Sequence, residues 1–253
     1  MSIIDSFDPE RVSSINLEDV LPKSDVALDA CIINFSYKIM DALIERGELI
    51  PIEPVIKSVA ELYPVYVFPG TKIGIVKSTV GAPMASGLVE EIGYVFSCPK
   101  FILFGSSGGL DKSIPPETLI IPTDAYRDEG VSYHYAPPGD YIALKGHTKV
   151  KEVLDGLGIP YALGKTWTTD AFYRETRRNM ERRKSEGCIA VEMEIAACQA
   201  VADYRGYEFY AFLYRADNLD SEVWEKSILS SISTEHRLAH LYIALEIAKA
   251  VVS

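Results

Sequence analysis

"CIAVEMEIAACQAVADYRG", residues 188–206, joins two patterns in nineteen positions. "CIAVEM" (188–193) is an apolar run of strand length, and 194–206 reads as a buried helix closed by Gly206, the residue type that ends helices in left-handed backbone. A strand handing straight over to a helix is the unit of a largely parallel sheet with helices outside it. Glu192 and Glu194 stand at the handover, in apolar surroundings where a carboxylate is costly unless something pairs with it. While the backbone stays extended, residues i and i+2 point to the same side, so both carboxylates could face one cleft. The competing reading is that one of them caps the following helix, where a carboxylate near the N-terminus is favourable. A pair facing a cleft suits the vicinal hydroxyls of a sugar, because an ionised carboxylate only accepts and each hydroxyl can donate.

The same alternation extends outward in both directions. "ACIINF" precedes the helical pattern "SYKIMDALIERG", "KIGIVKST" precedes "PMASGLVEEIG", and "KFILFG" runs into a glycine-rich turn. Further strand candidates are "TLIIP" (118–122), "YALGKTW" (161–167) and "EFYAFLY" (208–214). "RETRRNMERRKSEG" (174–187) reads as an exposed basic helix, and 233–251 as a long amphipathic one. No low-complexity linker or repeat divides the chain, so its 253 residues read as one α/β domain, 1–253.

Charge and cysteine usage narrow the function. With 25 basic against 36 acidic residues the net charge is −11, and no basic stripe interleaves with aromatics, which argues against a nucleic-acid partner. The N-terminus lacks a leader pattern and no apolar run approaches the roughly 20 residues of a membrane span, so the expectation is a cytoplasmic protein without a membrane partner. Cys31, Cys98, Cys188 and Cys198 have no CxxC spacing and read as reduced, buried thiols, neither disulfides nor a zinc site. His236 and His240 have the i, i+4 spacing of metal ligands but no third ligand nearby, so they read as a solvated helix face and no metal is expected.

In open α/β sheets ligands gather beyond the carboxyl ends of strands, so those ends carry the candidate chemistry. "FGSSGGL" (104–110) has small residues that let backbone N–H groups approach a ligand, although a plain tight turn is an equal reading; it fits neither the dinucleotide nor the P-loop spacing. Asp217 in "LYRADNLD" (213–220) could be a general acid if its surroundings hold a proton on it. Phe172 and Tyr173 in "DAFYRET" could stack on a planar ligand or could be core packing.

Taken in this order, the segments between about Lys72 and Asp220 resemble the nucleoside phosphorylase superfamily of purine and uridine phosphorylases and methylthioadenosine-type nucleosidases. "AVEMEIAACQAVA" looks like the family's VEMEAAA ribose motif, "STVGAPMA" (78–85) like its G-x-G-x-P-S-A turn, and "FGSSGG" like its phosphate turn. "RDEGVSYHYAPPGDY" (127–141) is similar to a loop of uridine phosphorylases, whereas "RADNLD" looks more like a segment of the purine enzymes and nucleosidases.

The resemblance implies a three-layer α/β/α sandwich around a twisted mixed sheet, assembled as a homo-oligomer of two, three or six chains. It implies a nucleoside phosphorylase, a pentosyltransferase that uses phosphate as co-substrate and no cofactor, yielding free base and ribose 1-phosphate. Glu194 would hold the ribose hydroxyls, Met193 would pack under the sugar and Glu192 would support the site. Phe172 and Tyr173 would meet the base, and Asp217 would protonate a purine at N7. Gly81, Gly105 and Ser106 would meet phosphate, and His134 and Arg178 would serve a pyrimidine. Two departures bear on phosphate. Leu103 stands where phosphorylases carry an arginine, and "INFSYKI" (33–39) replaces the loop with their second arginine, leaving Lys38, Lys77 and Arg127 as candidate substitutes. Two alternatives therefore stand beside phosphorolysis: a nucleosidase, which uses water, and a nucleoside-binding paralogue without catalysis.

Overall fold

Each strand through the middle of the sheet feeds two cores. In β1 (Ala30–Asn34), wholly buried, Cys31 and Ile33 join one apolar cluster while Ala30 and Ile32 join another, the period of two that a strand covered on both faces requires. The computed structural model describes residues 2–10, 12–57, 61–229 and 231–253. After β1 come β2 (Ile50–Lys57), β3 (Leu62–Val67), β4 (Ile73–Lys77), β5 (Lys100–Gly109), β6 (Leu119–Asp128), β7 (Tyr141–Ala143), β8 (Tyr161–Thr169), β9 (Cys188–Glu192) and β10 (Glu208–Asn218).

They form one mixed sheet in the order β10-β6-β8-β9-β5-β1-β4-β3-β2, with β7 beside β6. β1 pairs in parallel with β4 and β5, β8 with β6 and β9, and β10 with β5. Because β10 also pairs with β6, strands β5, β9, β8, β6 and β10 close a circuit that brings their ends around one space.

Of the helices, α1 (Leu17–Val20) and α4 (Ser132–Tyr135) are single turns. α3 (Ala82–Val95) and α7 (Ile195–Arg205) bury residues such as Leu88, Ile92, Ala196 and Val201 in the first cluster. On the opposite face, α2 (Tyr37–Glu45), α5 (His147–Leu157) and α8 (Thr234–Val252) bury Leu43, Leu154 and Leu241 in the second. α6 (Arg177–Ser185) is the short basic helix. The three layers expected from the resemblance are present.

Three features differ from the sequence reading. The antiparallel pair β2 and β3 occupies a stretch that sequence reading left blank, since prolines at 51, 54 and 64 mask the pattern and an edge position tolerates them. β5 does not end in a turn at Phe104 but runs through the glycines to Gly109, paired with β10 and β9. The histidines do not share a solvated face: His240 is buried and stacked on Tyr214 at 4.3 Å, while exposed His236 meets Glu117 at 3.2 Å. All four cysteines are free and buried. Among the described residues no helix is long and apolar enough to cross a membrane, and no cluster of His, Cys, Asp or Glu could hold a metal ion.

Candidate active site

The two glutamates divide the roles that sequence analysis held open. The Glu192 carboxylate accepts from the backbone N–H of Glu194 (2.8 Å) and of Ile195 (2.7 Å) and from the Thr168 hydroxyl (2.5 Å). Thr168, its register partner on β8, in turn accepts from the Ala196 N–H at 3.0 Å. Glu192 and Thr168 together therefore cap α7, satisfying N–H groups that a helix start leaves orphaned. Glu194 lies at the bend after β9, and its carboxylate accepts from the N–H of Gly81 at 2.7 Å and from that of Met193 at 3.2 Å. Gly81 has φ +115° and immediately precedes α3, so the chain there needs glycine and its N–H is turned onto Glu194. Burial pushes both carboxyls up from the ordinary carboxylate range, and the charge of Glu192 raises Glu194 further.

Both glutamates open onto a cavity of about 660 Å³, within the ~300–1,000 Å³ usual for small-molecule sites. Its walls come from the ends of β1, β5, β9 and β10, from the aromatic turn at 172–175, and from the loop after β10. Asp217 enters from β10, where a bulge between Arg215 and Asp217 re-aims the side chain. Trp224 Nε1 donates to its Oδ2 at 2.8 Å, and Oδ1 is buried beside Gly108 with no partner among the described residues. Burial raises the Asp217 carboxyl despite the Trp224 hydrogen bond and the nearby charge of Arg215. Beside it in the cavity lies Glu175, pushed up to about 7 by burial and then by the charge of Asp217.

The glycines of β5 make room for this arrangement. A methyl group at Gly108 would meet Leu219 at 2.4 Å, Val191 at 2.8 Å and Asp217 Oδ1 at 3.2 Å, and one at Gly105 would meet the Phe35 ring at 3.2 Å. The segment thus acts as a flat strand over which neighbouring side chains lie. Ser106 is exposed to the cavity, and Leu103 and Phe35 present apolar surface where sequence comparison expected cations. Among the described residues lining the cavity there is no lysine, arginine or histidine.

Glu192, Met193, Glu194, Phe172, Tyr173, Gly105, Ser106 and Asp217 are thus brought together around one space. His134 and Arg178 are exposed and do not line it. Gly81 serves Glu194 instead of standing open to an anion. Of the candidate cations, Arg127 is buried against Ser132 and the carbonyls of Ala136, Pro137 and Gly139, Lys77 lies 3.8 Å from Glu61, and Lys38 is exposed away from the cavity. Arg177 donates to the carbonyls of Ser221 and Glu222 in a smaller neighbouring cleft. Sequence reading missed Glu175, Trp224 and Phe35; an acidic residue directly after an aromatic pair was the available signal for Glu175.

The family model described as "Phosphorylase superfamily" matches residues 30–247. Among curated relatives, the DeoD-type purine nucleoside phosphorylase of Aliivibrio fischeri is 27% identical over 138 residues, 53% of this chain and 58% of that protein. That of Colwellia psychrerythraea is 26% identical over 60% of this chain and 66% of its own length, so the match spans less than two thirds of either relative. Two solved structures share the fold: AMP nucleosidase from Bacteroides thetaiotaomicron (TM-score 0.70, 15% identity, 89% of both chains) and a futalosine hydrolase mutant of Helicobacter pylori (0.68, 16%, 88% and 98%). With its family model covering β1 to α8, and its site built on the strand ends that the resemblance singled out, the chain belongs to the phosphorylase superfamily.

Proposed function

We propose that this protein cleaves the N-glycosidic bond of a purine nucleoside with water as the acceptor. The observation that carries the choice of water is the cavity lining, which holds Glu175, Glu192, Glu194 and Asp217 and, among the described residues, no cation. A phosphate dianion placed there would meet carboxyls with no guanidinium or ammonium to offset them, whereas neutral water carries no such penalty. The same lining suits a transition state in which positive charge develops on the sugar.

In this reading the Glu194 carboxyl, held in place by the Gly81 N–H, pairs with the ribose 2′- and 3′-hydroxyls. Phe172 stacks on the base. As the C1′–N9 bond breaks, its electron pair moves onto the purine, and Asp217, whose carboxyl burial raises from its ordinary range, delivers a proton to N7. The water oxygen bonds to C1′, and the proton it releases restores Asp217. Free base and ribose are the products.

Phosphorolysis remains the second reading, favoured by exposed Ser106 over the glycine strand and by the names of the curated relatives. It would need a cation from a second copy of the chain, and the homo-oligomer implied by the resemblance belongs to that proposal. Val80, Phe172, Tyr173 and Trp224 form an exposed apolar rim that a second copy would cover, giving a light-scattering mass above the 28.0 kDa of one chain.

The deciding experiment incubates adenosine, inosine and uridine with the protein, with and without phosphate, and separates base, ribose and ribose 1-phosphate. Ribose released at the same rate in phosphate-free buffer is the expected result. Strict dependence on phosphate establishes phosphorolysis, and binding without cleavage a non-catalytic role.

A further inference from the structure

We infer that Trp224 is a positioning residue that latches Asp217, keeping the acid proton on the buried oxygen of its carboxyl until an arriving base displaces the indole; this rests on Asp217 as the proton donor of the proposed reaction. Trp224 Nε1 donates to Asp217 Oδ2 at 2.8 Å. In a carboxylic acid the hydroxyl oxygen lends its lone pair to the carbonyl and is the poorer acceptor, so an N–H on Oδ2 leaves the proton on Oδ1. That oxygen is buried without a partner among the described residues. It lies against Gly108, where a methyl group would meet it at 3.2 Å and would meet Leu219 at 2.4 Å and Val191 at 2.8 Å, so side chains already fill the approach on that side. Asp217 and Trp224 both line the cavity, yet one carboxyl oxygen is taken by the indole and the other is covered.

The surroundings fix the backbone of Trp224 and leave its ring free to move. Glu225, the next residue, forms an antiparallel bridge with Asn218, with N–H to carbonyl bonds of 2.9 and 3.1 Å and a 2.7 Å bond from the Asn218 amide to the Glu225 carboxylate. The tip between them is held from outside: Arg177 donates to the carbonyls of Ser221 and Glu222, and Lys184 pairs with Asp220. The indole, by contrast, is 55% exposed, and its one hydrogen bond among the described residues is that to Asp217. A single hydrogen bond to a neutral acid is a weak tie. Phe172 and Tyr173 line the same cavity, so a planar base that enters to stack on Phe172 competes with the indole for space. Once the indole leaves, Oδ2 is uncovered, and rotation about the soft, two-fold Cβ–Cγ torsion exchanges the two oxygens, bringing the proton to the cavity side. Two other charged groups face Asp217, Arg215 on β10 and Glu175 after the aromatic turn, and neither bonds to the indole.

The test follows the indole N–H resonances by NMR in protein carrying isotope-labelled tryptophan; the chain has 2 tryptophans, and Trp224→Phe assigns them. Trp167, bonded to Asp128 at 2.9 Å, is the internal reference. At saturation with adenine, established by calorimetry, the Trp224 resonance should move towards the position it takes in Asp217→Ala, where the acceptor is gone, while that of Trp167 stays. Trp224→Phe keeps a ring without a donor, so adenine should bind about two- to tenfold more tightly, the range that one neutral hydrogen bond covers, and the gain should appear in KM. Losing the N–H also raises the carboxyl of Asp217 in the free enzyme, so the alkaline limb of kcat/KM should move to higher pH. A merely structural tryptophan predicts weaker adenine binding and an unmoved pH profile; unchanged thermal melts check the fold of the variant. A Trp224 resonance unmoved at saturation, weaker adenine binding by Trp224→Phe, an unmoved alkaline limb, or no binding of adenine each overturns the inference. Asp217→Asn reads the proton donor separately: wild-type kcat in that variant ends the acid role, whereas the indole resonance reports the latch without cleavage.

Discussion

Replacing Glu194 with alanine removes the acceptor facing the cavity, while replacing Glu192 uncaps a helix. A hydrogen bond is worth roughly 0.5–1.5 kcal/mol and in the proposed reading Glu194 faces two ribose hydroxyls, so Glu194→Ala should lower kcat/KM about tenfold on the ribonucleoside that the wild type cleaves. Its urea midpoint should stay near wild type, because the lost carboxyl is one that burial already disfavours. Glu192→Ala instead strands the N–H groups of Glu194 and Ile195 and should destabilise by about 1–3 kcal/mol, read as a lower urea midpoint at unchanged m. Asp217→Asn keeps size and Trp224 within reach but cannot deliver a proton, so kcat should fall by roughly 10²-fold with little change in KM. Glu194, Asp217 and Phe172 were legible in the sequence because an acidic or aromatic residue at a strand end is conspicuous by type. Trp224 and Phe35 were not, since their approach to the cavity depends on how the loop after β10 and the end of β1 fold back over β5.

Among the elements, β5 shows where sequence reading stopped short. "FILFGSSGG" looks like a strand followed by a turn because glycine has low strand preference, yet these glycines pair with Leu213–Asn218 of β10 and with Ala190 and Val191 of β9. What holds them in a strand is the approach of neighbouring side chains, a long-range property that no local pattern encodes. Gly108→Ala tests this: the added methyl must displace Leu219 and Val191 and crowds Asp217, so we expect a loss of about 1–3 kcal/mol in a denaturant melt and a fall in kcat from the disturbed Asp217. Gly87→Ala, in α3 with open space around its Cβ position, should leave both readings unchanged. Elements with strong periodicity, β1, α2, β4, α3, β9 and α7, were legible because local preference and burial agree there. The hairpin β2 and β3 was not, because its edge position removes the need for a continuous apolar run.

At the scale of the whole molecule, two sets of buried groups set opposite pH limits. Glu175, Glu192 and Glu194 all have carboxyls raised by burial, so the folded protein holds their protons more tightly than the unfolded chain. Their contribution is complete below the ordinary value of 4.5 and is lost as pH rises through the folded values, about 8 for Glu194. His240 works the other way. Buried against Tyr214, with Nδ1 unpartnered among the described residues, it is lowered from 6.5 to about 4, so its contribution is complete above 6.5 and lost as pH falls towards 4. Between these limits the two slopes oppose each other, and a net decline should appear only above pH 6.5, where His240 no longer changes. Differential scanning fluorimetry from pH 4 to 9 should therefore give a Tm that is higher at 6.5 than at 8.5. Glu194→Gln should flatten the decline between 6.5 and 8.5 while leaving the acid limb in place, and His240→Phe should flatten the acid limb alone. A Tm that rises from pH 6.5 to 8.5 in the wild type, or a Glu194→Gln profile parallel to it, would mean that Glu194 is ionised in the folded protein throughout this range, and that the cavity carries its full negative charge before any substrate arrives.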